Sequence, residues 1–565
     1  MILKDKIKNW LPVIIFITIA IWFRLYRNSV DNYYLLAGSD GPYLPVQVKS
    51  LFEHYRLAFP DMPLLFILCT LIAKVLFFLK LGAANECILM AIRVVDTFLP
   101  PLAAIPVFFI SKELSSDQLK SKLSNYFLIA FSILNITPLF IFSFQLQKNS
   151  LATILIFSYI YYVVKILKYN HREDFIKIAI TFFICLITHF GSSGFLIFIT
   201  SIILLFWFLF QKKRTVSIKF LIVIVAFLTI TASIIALLDY SRFIRIINVP
   251  LKIFEAPVLL FAIYGQNFIL KGYNLLVIIS MNFLAIVGFI FLIKQRKQLE
   301  TYKLILGLAL GTSIIFLSNP MLGLEWASRL YMLAYIPTTI LYLILYNSTS
   351  NKWFKISTII VFAWLLIESF GVSAFEKVYT TLDDASFLEL QHIKEKKIFS
   401  ANDVIVARQS LRILSNWVIE SKGIDRYLLT KDEFNKYPNC YLLKQIKGKN
   451  PLSRGSEPNV GDSILQVYKG EHFEVYKLTS NIQLPDNAEK IFKGIRGTIH
   501  SISGNNLYVI DNKTNKIRHV IYDPFNALFP KLSVGMKVEI NGEWTPFSLT
   551  IKAETIKQID NFEDK

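Results

Sequence analysis

The chain has 565 residues, of which 54% are hydrophobic and 18% are charged, and its formal net charge is +20. An average soluble chain carries about 25% charged residues, so this composition excludes a disordered chain, a collagen-like chain and an ordinary cytosolic enzyme. Four cysteines in this length exclude a disulfide scaffold. In a soluble protein the positive charge would suggest nucleic acid, but in a chain this apolar it must first be compared with membrane topology.

Long apolar runs recur through the first two thirds of the chain, and each is long enough to cross about 30 Å of hydrocarbon as a helix. Two further apolar runs, 62–80 and 256–270, are interrupted by polar residues, and we place both at the interface or as re-entrant segments. The alternative is that both are full spans; as a pair they would leave the side of the C-terminus unchanged. The remaining runs predict eleven spans, near 10–26, 95–111, 124–143, 150–167, 176–190, 194–210, 218–238, 273–293, 303–318, 330–346 and 355–374.

Lysine and arginine clusters fall in alternate loops of this map, which makes those loops cytoplasmic. The N-terminus is therefore predicted inside, and an odd number of spans places the C-terminus outside the cell membrane. Much of the net charge is then a topology signal, and no nucleic-acid partner is expected. The first span is not followed by a small-residue cleavage site, so we interpret it as a retained anchor. A transmembrane domain over 1–374 with a long first outer loop, 27–94, follows from this map.

The first outer loop holds the densest set of ionisable residues, and such residues near a membrane are the first functional candidates. Asp40 follows the first span, and Pro42 can start a helix that runs to about Tyr55. Asp40 is a candidate general base or metal ligand, with capping of this helix as the alternative. Asp61 lies in the sequence FPDMP, where it either contacts substrate or belongs to a structural turn.

Three basic residues at later outer positions suit an anionic or sugar ligand. Arg329 lies at the outer end of a span, and its planar guanidinium suits a phosphate; a snorkelling side chain or a helix pair with Glu325 is the alternative. Lys148, in the second outer loop, adds charge or is an ordinary interfacial lysine. His189 precedes two glycines at a span end, where it either donates to phosphate or sugar or simply packs.

From residue 375 onward the long apolar runs stop and charged residues become frequent, which predicts an extracytoplasmic tail of two parts. The first, 375–480, is predicted as a small α/β domain with helices at 383–397 and 410–421 and strands at 402–408, 427–429 and 441–446. The second, 485–565, contains five alternating runs and a short helical insert near 524–532, which suit an OB-like β-barrel. The barrel lacks an evident row of exposed aromatic and basic residues. We interpret it as a packing or docking module, with glycan contact as the alternative.

The arrangement of the first outer loop resembles the GT-C superfamily of membrane glycosyltransferases, which use polyprenyl-phosphate-linked sugar donors. In that superfamily an essential acidic residue opens this loop, followed by a tyrosine, an amphipathic helix and a Pro-rich turn. The matching residues here are Asp40, Tyr43, Asp61 and Pro63-Leu64. Weaker similarities to the oligosaccharyltransferase, protein-mannosyltransferase and aminoarabinose-transferase group continue at 98–122, 135–149, 188–194 and 324–337.

The resemblance implies transfer of a sugar from a polyprenyl-phosphate donor to a lipid, glycan or protein acceptor on the outer face. It assigns Asp40 the catalytic role, and it assigns substrate contacts to Tyr43, Asp61, Lys148, His189 and Arg329. Many relatives carry a carboxylate in the second outer loop, but this chain has none there, so a divalent metal remains an open question. The tail also lacks the W-W-D-like motif of oligosaccharyltransferases; NWVIE at 416–420 is only faintly similar.

Several other functions remain as alternatives. An oligosaccharyltransferase or a glycan polymerase or ligase would use a pyrophosphate-linked donor. A transporter or flippase would show an internal repeat and polar residues at the midplane, whereas the polar residues here cluster toward the outer ends. A non-catalytic membrane scaffold would tolerate loss of Asp40. No Walker A, HExxH or GxSxG sequence is present.

Overall fold

A computed structural model describes most of the chain, and its contacts divide the chain into two units. Unit 1 comprises Met1–Leu251, Leu270–Asn319 and Leu330–Asp384, and unit 2 comprises Lys252–Ile269, Pro320–Arg329 and Ala385–Lys565. The predicted domain limits, 1–374, 375–480 and 485–565, stay predictions. The described residues are 2–28, 41–115, 122–135, 137–143, 146–210, 233, 236, 244, 253–254, 275–349, 351–373, 382–400, 402–407, 409–425, 429–447, 465–479, 494–512, 515–524, 526, 529–544 and 550–560.

Apolar helices dominate the first 373 residues. They are α1 (Ile2–Asn28), α2 (Tyr43–His54), α3 (Leu64–Phe78), α4 (Ala84–Phe98), α5 (Ala104–Leu114), α6 (Lys122–Leu134), α7 (Gln147–Tyr169), α8 (Arg172–Thr188), α9 (Phe190–Phe210), α10 (Leu275–Lys294), α11 (Thr301–Leu317), α12 (Leu324–Ser348) and α13 (Lys352–Ser373). A 3-10 turn at Pro100–Ala103 joins α4 to α5, and a π-helical turn covers Thr137–Ile141.

The helices support a membrane protein, and each predicted span other than 218–238 overlaps at least one described helix. Span 218–238 lies almost wholly outside the described residues. Among the described residues, four helical stretches are long and apolar enough to cross a membrane: Ala84–Leu114, Gln147–Tyr169, Phe190–Phe210 and Arg329–Ser348. The remaining apolar helices are shorter. The count of eleven spans and the N-in, C-out orientation therefore stay predictions.

Two details of the bundle differ from the sequence map or refine it. The span predicted at 95–111 belongs to a helical stretch that already begins at Ala84 and passes through the turn at Pro100–Ala103. The turn interrupts the regular helix because two consecutive prolines lack its N–H donors. Helix α3 has 15 residues, a length of about 22 Å at about 1.5 Å per residue. Helices that coincide with predicted full spans are of similar length, such as α11 with 17 residues, so the interfacial placement of run 62–80 stays a prediction. Run 256–270 lies outside the described residues.

Glycines allow α10, α11 and α12 to approach one another closely. A Cβ at Gly307 of α11 would lie 2.6 Å from a methyl carbon of Leu292, and one at Gly288 of α10 would lie 2.8 Å from a methyl carbon of Leu345. Small residues at helix interfaces are the usual means of close packing in a bilayer, where burial of apolar surface from water cannot drive association.

Unit 2 contains a five-stranded mixed sheet. Its elements are α14 (Asp384–Glu395), β1 (Val404–Ala407), α15 (Gln409–Leu414) with a π-helical turn at Ser415–Ile419, β2 (Lys422–Asp425), α16 (Lys431–Asn435), β3 (Cys440–Gln445), β4 (Leu465–Lys469) and β5 (Phe473–Leu478). The order is β2-β1-β3-β5-β4; the first three strands are parallel, and β3, β5 and β4 pair antiparallel. The strand predicted at 427–429 lies mostly outside the described residues, and the described strand nearest to it is β2.

Five further strands of unit 2 close into a barrel, as predicted from their alternating pattern. They are β6 (Ile495–Ser503), β7 (Asn506–Asp511), β8 (Lys516–Ile521), β9 (Lys537–Trp544) and β10 (Thr550–Gln558), in the order β10-β8-β7-β6-β9. β8 and β10 pair in parallel, and the other neighbours are antiparallel. The helical insert expected near 524–532 falls partly outside the described residues, and its described residues form turns and irregular backbone.

Candidate functional site

The segment after α2 folds back over that helix. Helix α2 ends where Tyr55 adopts a left-handed conformation with φ of 56°. The Gln47 amide, which is fully buried, then pairs with both backbone groups of Phe59: its Nε2 donates to the carbonyl at 2.9 Å, and its Oε1 accepts from the N–H at 3.0 Å. This clamp brings Asp61 back to the first residue of α2, Tyr43.

Asp61 is the centre of a polar cluster that we call the Asp61 cluster, made of Tyr43, Gln47, Asp61 and Lys148. The Tyr43 hydroxyl donates to Asp61 Oδ2 at 2.6 Å, and Lys148 Nζ forms an ion pair with the same oxygen. The backbone N–H of Met62 donates to Asp61 Oδ1 at 2.8 Å. Gln47 Nε2 donates to the Tyr43 hydroxyl at 2.8 Å, so the cluster continues into the clamp.

The surroundings of Asp61 keep it ionised. Burial by itself would raise the pKa of this carboxyl, but the charge of Lys148 and the hydrogen bonds from Lys148, Tyr43 and Met62 outweigh it, and the pKa is held below the ordinary value. Only 1% of the Asp61 side chain is exposed. A carboxylate with three donors and a lowered pKa is a fixed acceptor and a weak base.

Lys148 lies in the first turn of α7 against aromatic rings. Its Nζ is 5.9 Å from the centre of the Tyr43 ring and 5.7 Å from that of Phe66. The Tyr43 ring also stacks on Phe59, with 6.0 Å between the ring centres. One fifth of the Lys148 side chain is exposed. An ammonium with three donors at the N-terminus of a long helix, open on one side, favours an anion there.

Of the other three predicted site residues, His189 and Arg329 belong to the described part of the chain. Asp40 lies outside the described residues. His189 lies between α8 and α9, and its Nδ1 lies 2.9 Å from the Ser192 hydroxyl. The same Nδ1 accepts from the Ser192 N–H at 3.1 Å, so the imidazole caps the start of α9. The Arg329 guanidinium of unit 2 lies over the Trp326 ring at 5.5 Å. The structure thus brings together Tyr43, Asp61 and Lys148, and the roles of all six residues stay predictions.

Sequence reasoning passed over two side chains beside these residues, and each had a signal. Gln47 is a polar residue in a helix with a buried face. Arg24 is an ionisable residue inside the first apolar run, which alone marks a functional candidate in a membrane chain.

In the part of the chain that the structure describes, no group of three or more His, Cys, Asp or Glu residues could hold a metal ion. Because Asp40 lies outside that part, the metal requirement stays open.

Comparison with models of known protein families gave no match, and neither did comparison with curated proteins. Among solved structures, the chain is similar to a crystal structure of ArnT from Cupriavidus metallidurans bound to undecaprenyl phosphate, with a TM-score of 0.44 and 9% sequence identity. The similarity covers 84% of this chain and 99% of that one. A similarity at this level assigns no activity to the chain, so a functional proposal has to stand on the membrane helices and the Asp61 cluster.

Proposed function

We propose that the protein is an integral-membrane glycosyltransferase that moves a sugar from a polyprenyl-phosphate donor to a lipid, glycan or protein acceptor at the outer face. The observation that carries this proposal is the Asp61 cluster. It joins the loop after the first helix to the start of α7, and it does so through Tyr43, Asp61 and Lys148, which the sequence alone singled out. A buried acid–lysine pair beside aromatic rings at helix ends suits a charged, partly apolar ligand.

The reaction sets the roles of the acidic residues. The acceptor oxygen forms a bond to C1 of the sugar, and the bond from C1 to the phosphate oxygen breaks with its electron pair on the phosphate. The acceptor proton goes to a base. Asp61 suits this role poorly because its pKa is lowered and its oxygens already accept three hydrogen bonds. Asp40, three residues before Tyr43 in the chain, is the proposed base.

The departing phosphate needs a cation, and Lys148 is the proposed contact. Its ammonium is held by Asp61 on one side and partly exposed on the other. The backbone N–H groups at the N-terminus of α7 add further hydrogen-bond donors and positive partial charge. Asp61 then acts by fixing Lys148 in place. Arg329 and His189 remain proposed further contacts to phosphate or sugar.

The same feature bears on the donor. The second outer loop contributes a lysine to the cluster, at the position where relatives of the resembled superfamily often place a carboxylate. We therefore favour a monophosphate-linked donor over the pyrophosphate-linked donor of an oligosaccharyltransferase, polymerase or ligase. Should a divalent metal take part, Asp40 of the first outer loop is the carboxylate that we propose would hold it.

A transfer assay with a matched control tests the proposal. Purified protein in detergent receives radiolabelled polyprenyl-phosphate sugars, with and without EDTA. The variants are Asp40→Asn, Lys148→Met and the control Lys165→Met. Lys165 and Lys148 lie on the same helix, are 21% and 20% exposed, and pair with carboxylates that are 2% and 1% exposed.

We expect Asp40→Asn to lower turnover by about 100-fold or more, since general-base catalysis contributes about that much. Lys148→Met should weaken donor use by about tenfold or more, the size of a lost charged contact, and Lys165→Met should behave as the native chain. Equal losses in the two lysine variants would remove Lys148 from the site, and native turnover in Asp40→Asn would remove Asp40 as the base. Turnover that persists in EDTA supports a metal-free reaction.

A further inference from the structure

Arg24 is a charged side chain in the interior of the helix bundle. It lies near the end of α1, and only 1% of it is exposed. A buried guanidinium is costly unless its charge and its donors are all matched by partners. Where they are matched, the planar arrangement of its donors fixes the positions of several groups at once.

The partners of Arg24 come from three other segments. The Asp96 carboxylate of α4 lies 3.4 Å from Nη1, and the Asp96 carbonyl accepts a hydrogen bond from the same nitrogen. Nη2 donates to the carbonyl of Pro138 in the π-helical turn and, at 3.0 Å, to the hydroxyl of Ser150 in α7. One side chain therefore ties α1, α4, the π-helical turn and α7 together.

Ser150 and Lys148 belong to the first turn of α7 and point to different sides of it. Residues two apart on a helix do not share a face. Lys148 contacts Asp61 on one side, and Ser150 contacts Arg24 on the other. The first turn of α7 is thus held between two buried acidic residues: directly by Asp61, and through Arg24 by Asp96.

We propose that Arg24 is a positioning residue that fixes the first turn of α7 and thereby holds Lys148 against Asp61. Asp96 neutralises the guanidinium, and the contacts to Pro138 and Ser150 transmit its position to α7. A lysine in place of Arg24 would keep the charge, but its single ammonium cannot reach all of these acceptors in the same geometry. The catalytic consequence of this inference rests on the proposed function, whereas its geometry does not.

A zero-length crosslink measures that geometry without any activity. A hydrophobic carbodiimide joins a carboxylate and an amine in direct contact into an amide, and peptide mass spectrometry gives the yield of the Asp61–Lys148 product. The variants are Arg24→Lys and the milder Ser150→Ala, which removes one hydroxyl. The control is Asp174→Asn, which breaks the equally buried pair with Lys165 elsewhere on α7.

We expect the crosslink yield to fall about tenfold in Arg24→Lys and severalfold in Ser150→Ala, since displacements of about 1 Å have effects of this order on reacting groups. It should stay native in Asp174→Asn. An unchanged yield in Ser150→Ala and Arg24→Lys overturns the inference, as does an equal fall in all three variants. The transfer assay separates the two proposals: if the yield falls and the donor KM stays native, Arg24 positions Lys148 but Lys148 does not bind donor.

Discussion

Removing the charge of Asp61 should lower the free energy of unfolding by an amount that follows from the burial of its ion pair with Lys148. Breaking a buried ion pair by removing one partner costs about 3–5 kcal/mol. One fifth of the Lys148 side chain remains in solvent, so water can solvate part of the abandoned charge. Asparagine also keeps an oxygen that can accept from Tyr43 or Met62. We therefore expect Asp61→Asn to lower the free energy of unfolding by about 2–3 kcal/mol.

A double-mutant cycle isolates the pair from the rest of the cluster. Asp61→Asn, Lys148→Met and the double variant are unfolded in mixed detergent micelles, and the free energies of unfolding are compared. The sum of the stability losses in the two single variants should exceed the loss in the double variant by about 1–3 kcal/mol, which is the coupling typical of residues in one network. The pair Lys436–Glu433 is the exposed control, with side chains 59% and 33% exposed; its coupling should be near zero.

The pH dependence has a definite sign. The pKa of Asp61 is lowered in the folded chain, so the folded state binds fewer protons at this group than the unfolded state does. The stability that native protein has over Asp61→Asn is therefore fully present above about pH 4, the ordinary range of an aspartate, and is lost as the pH falls through the folded pKa. Additive losses in the cycle, or a stability difference that does not change with pH, would refute the buried ion pair.

Three further changes have expected outcomes. Gln47→Leu leaves both backbone groups of Phe59 without their buried partner, so it should cost about 2–3 kcal/mol and speed hydrogen exchange over 55–63. Burial lowers the pKa of His519 to about 4, so as the pH falls the unfolded chain binds the proton before the folded chain does. Barrel stability should therefore decrease by up to about 3 kcal/mol as the pH falls from about 7 to 4. Calorimetry of His519→Gln should not show this decrease. A Cβ at Gly497 would lie 2.2 Å from the Ile510 carbonyl oxygen; Gly497→Ala should lower barrel stability by about 1–3 kcal/mol in the same assay.

The helices and the barrel were predictable because their patterns are local. A long apolar run or an alternating strand carries its own signal, and ten of the eleven predicted spans overlap described helices. The start of α4 was missed because its first turn is polar: Glu86 accepts from the N–H of Ala83 at 2.9 Å, which begins the helix well before its apolar run. Strands β4 and β5 were missed because their charged and aromatic residues obscure the alternation.

The contacts within the site could not be predicted in the same way. Asp61 and Lys148 were each singled out by residue type and position, but they are 87 positions apart in the chain. Their contact depends on how α7 packs near α3 and on the turn that Gln47 fixes, and neither is visible in a hydropathy pattern. Arg24 shows the same limit, because its partners lie 72, 114 and 126 positions away.

The polar contacts at the two ends of helix α7 are not equivalent. Its 23 residues span about 35 Å, and each end carries a lysine paired with a buried acid: Lys148 with Asp61, and Lys165 with Asp174. Ion pairs at both ends fix the position of a helix whose middle is apolar. Both lysines also lie over aromatic rings: Lys148 over Tyr43 and Phe66, and Lys165 over Tyr161. The Lys148 end differs in the contact between Ser150 and Arg24. Anchoring a helix end does not require this additional contact, whereas a lysine in the role we propose for Lys148, meeting a phosphate in one fixed position, does.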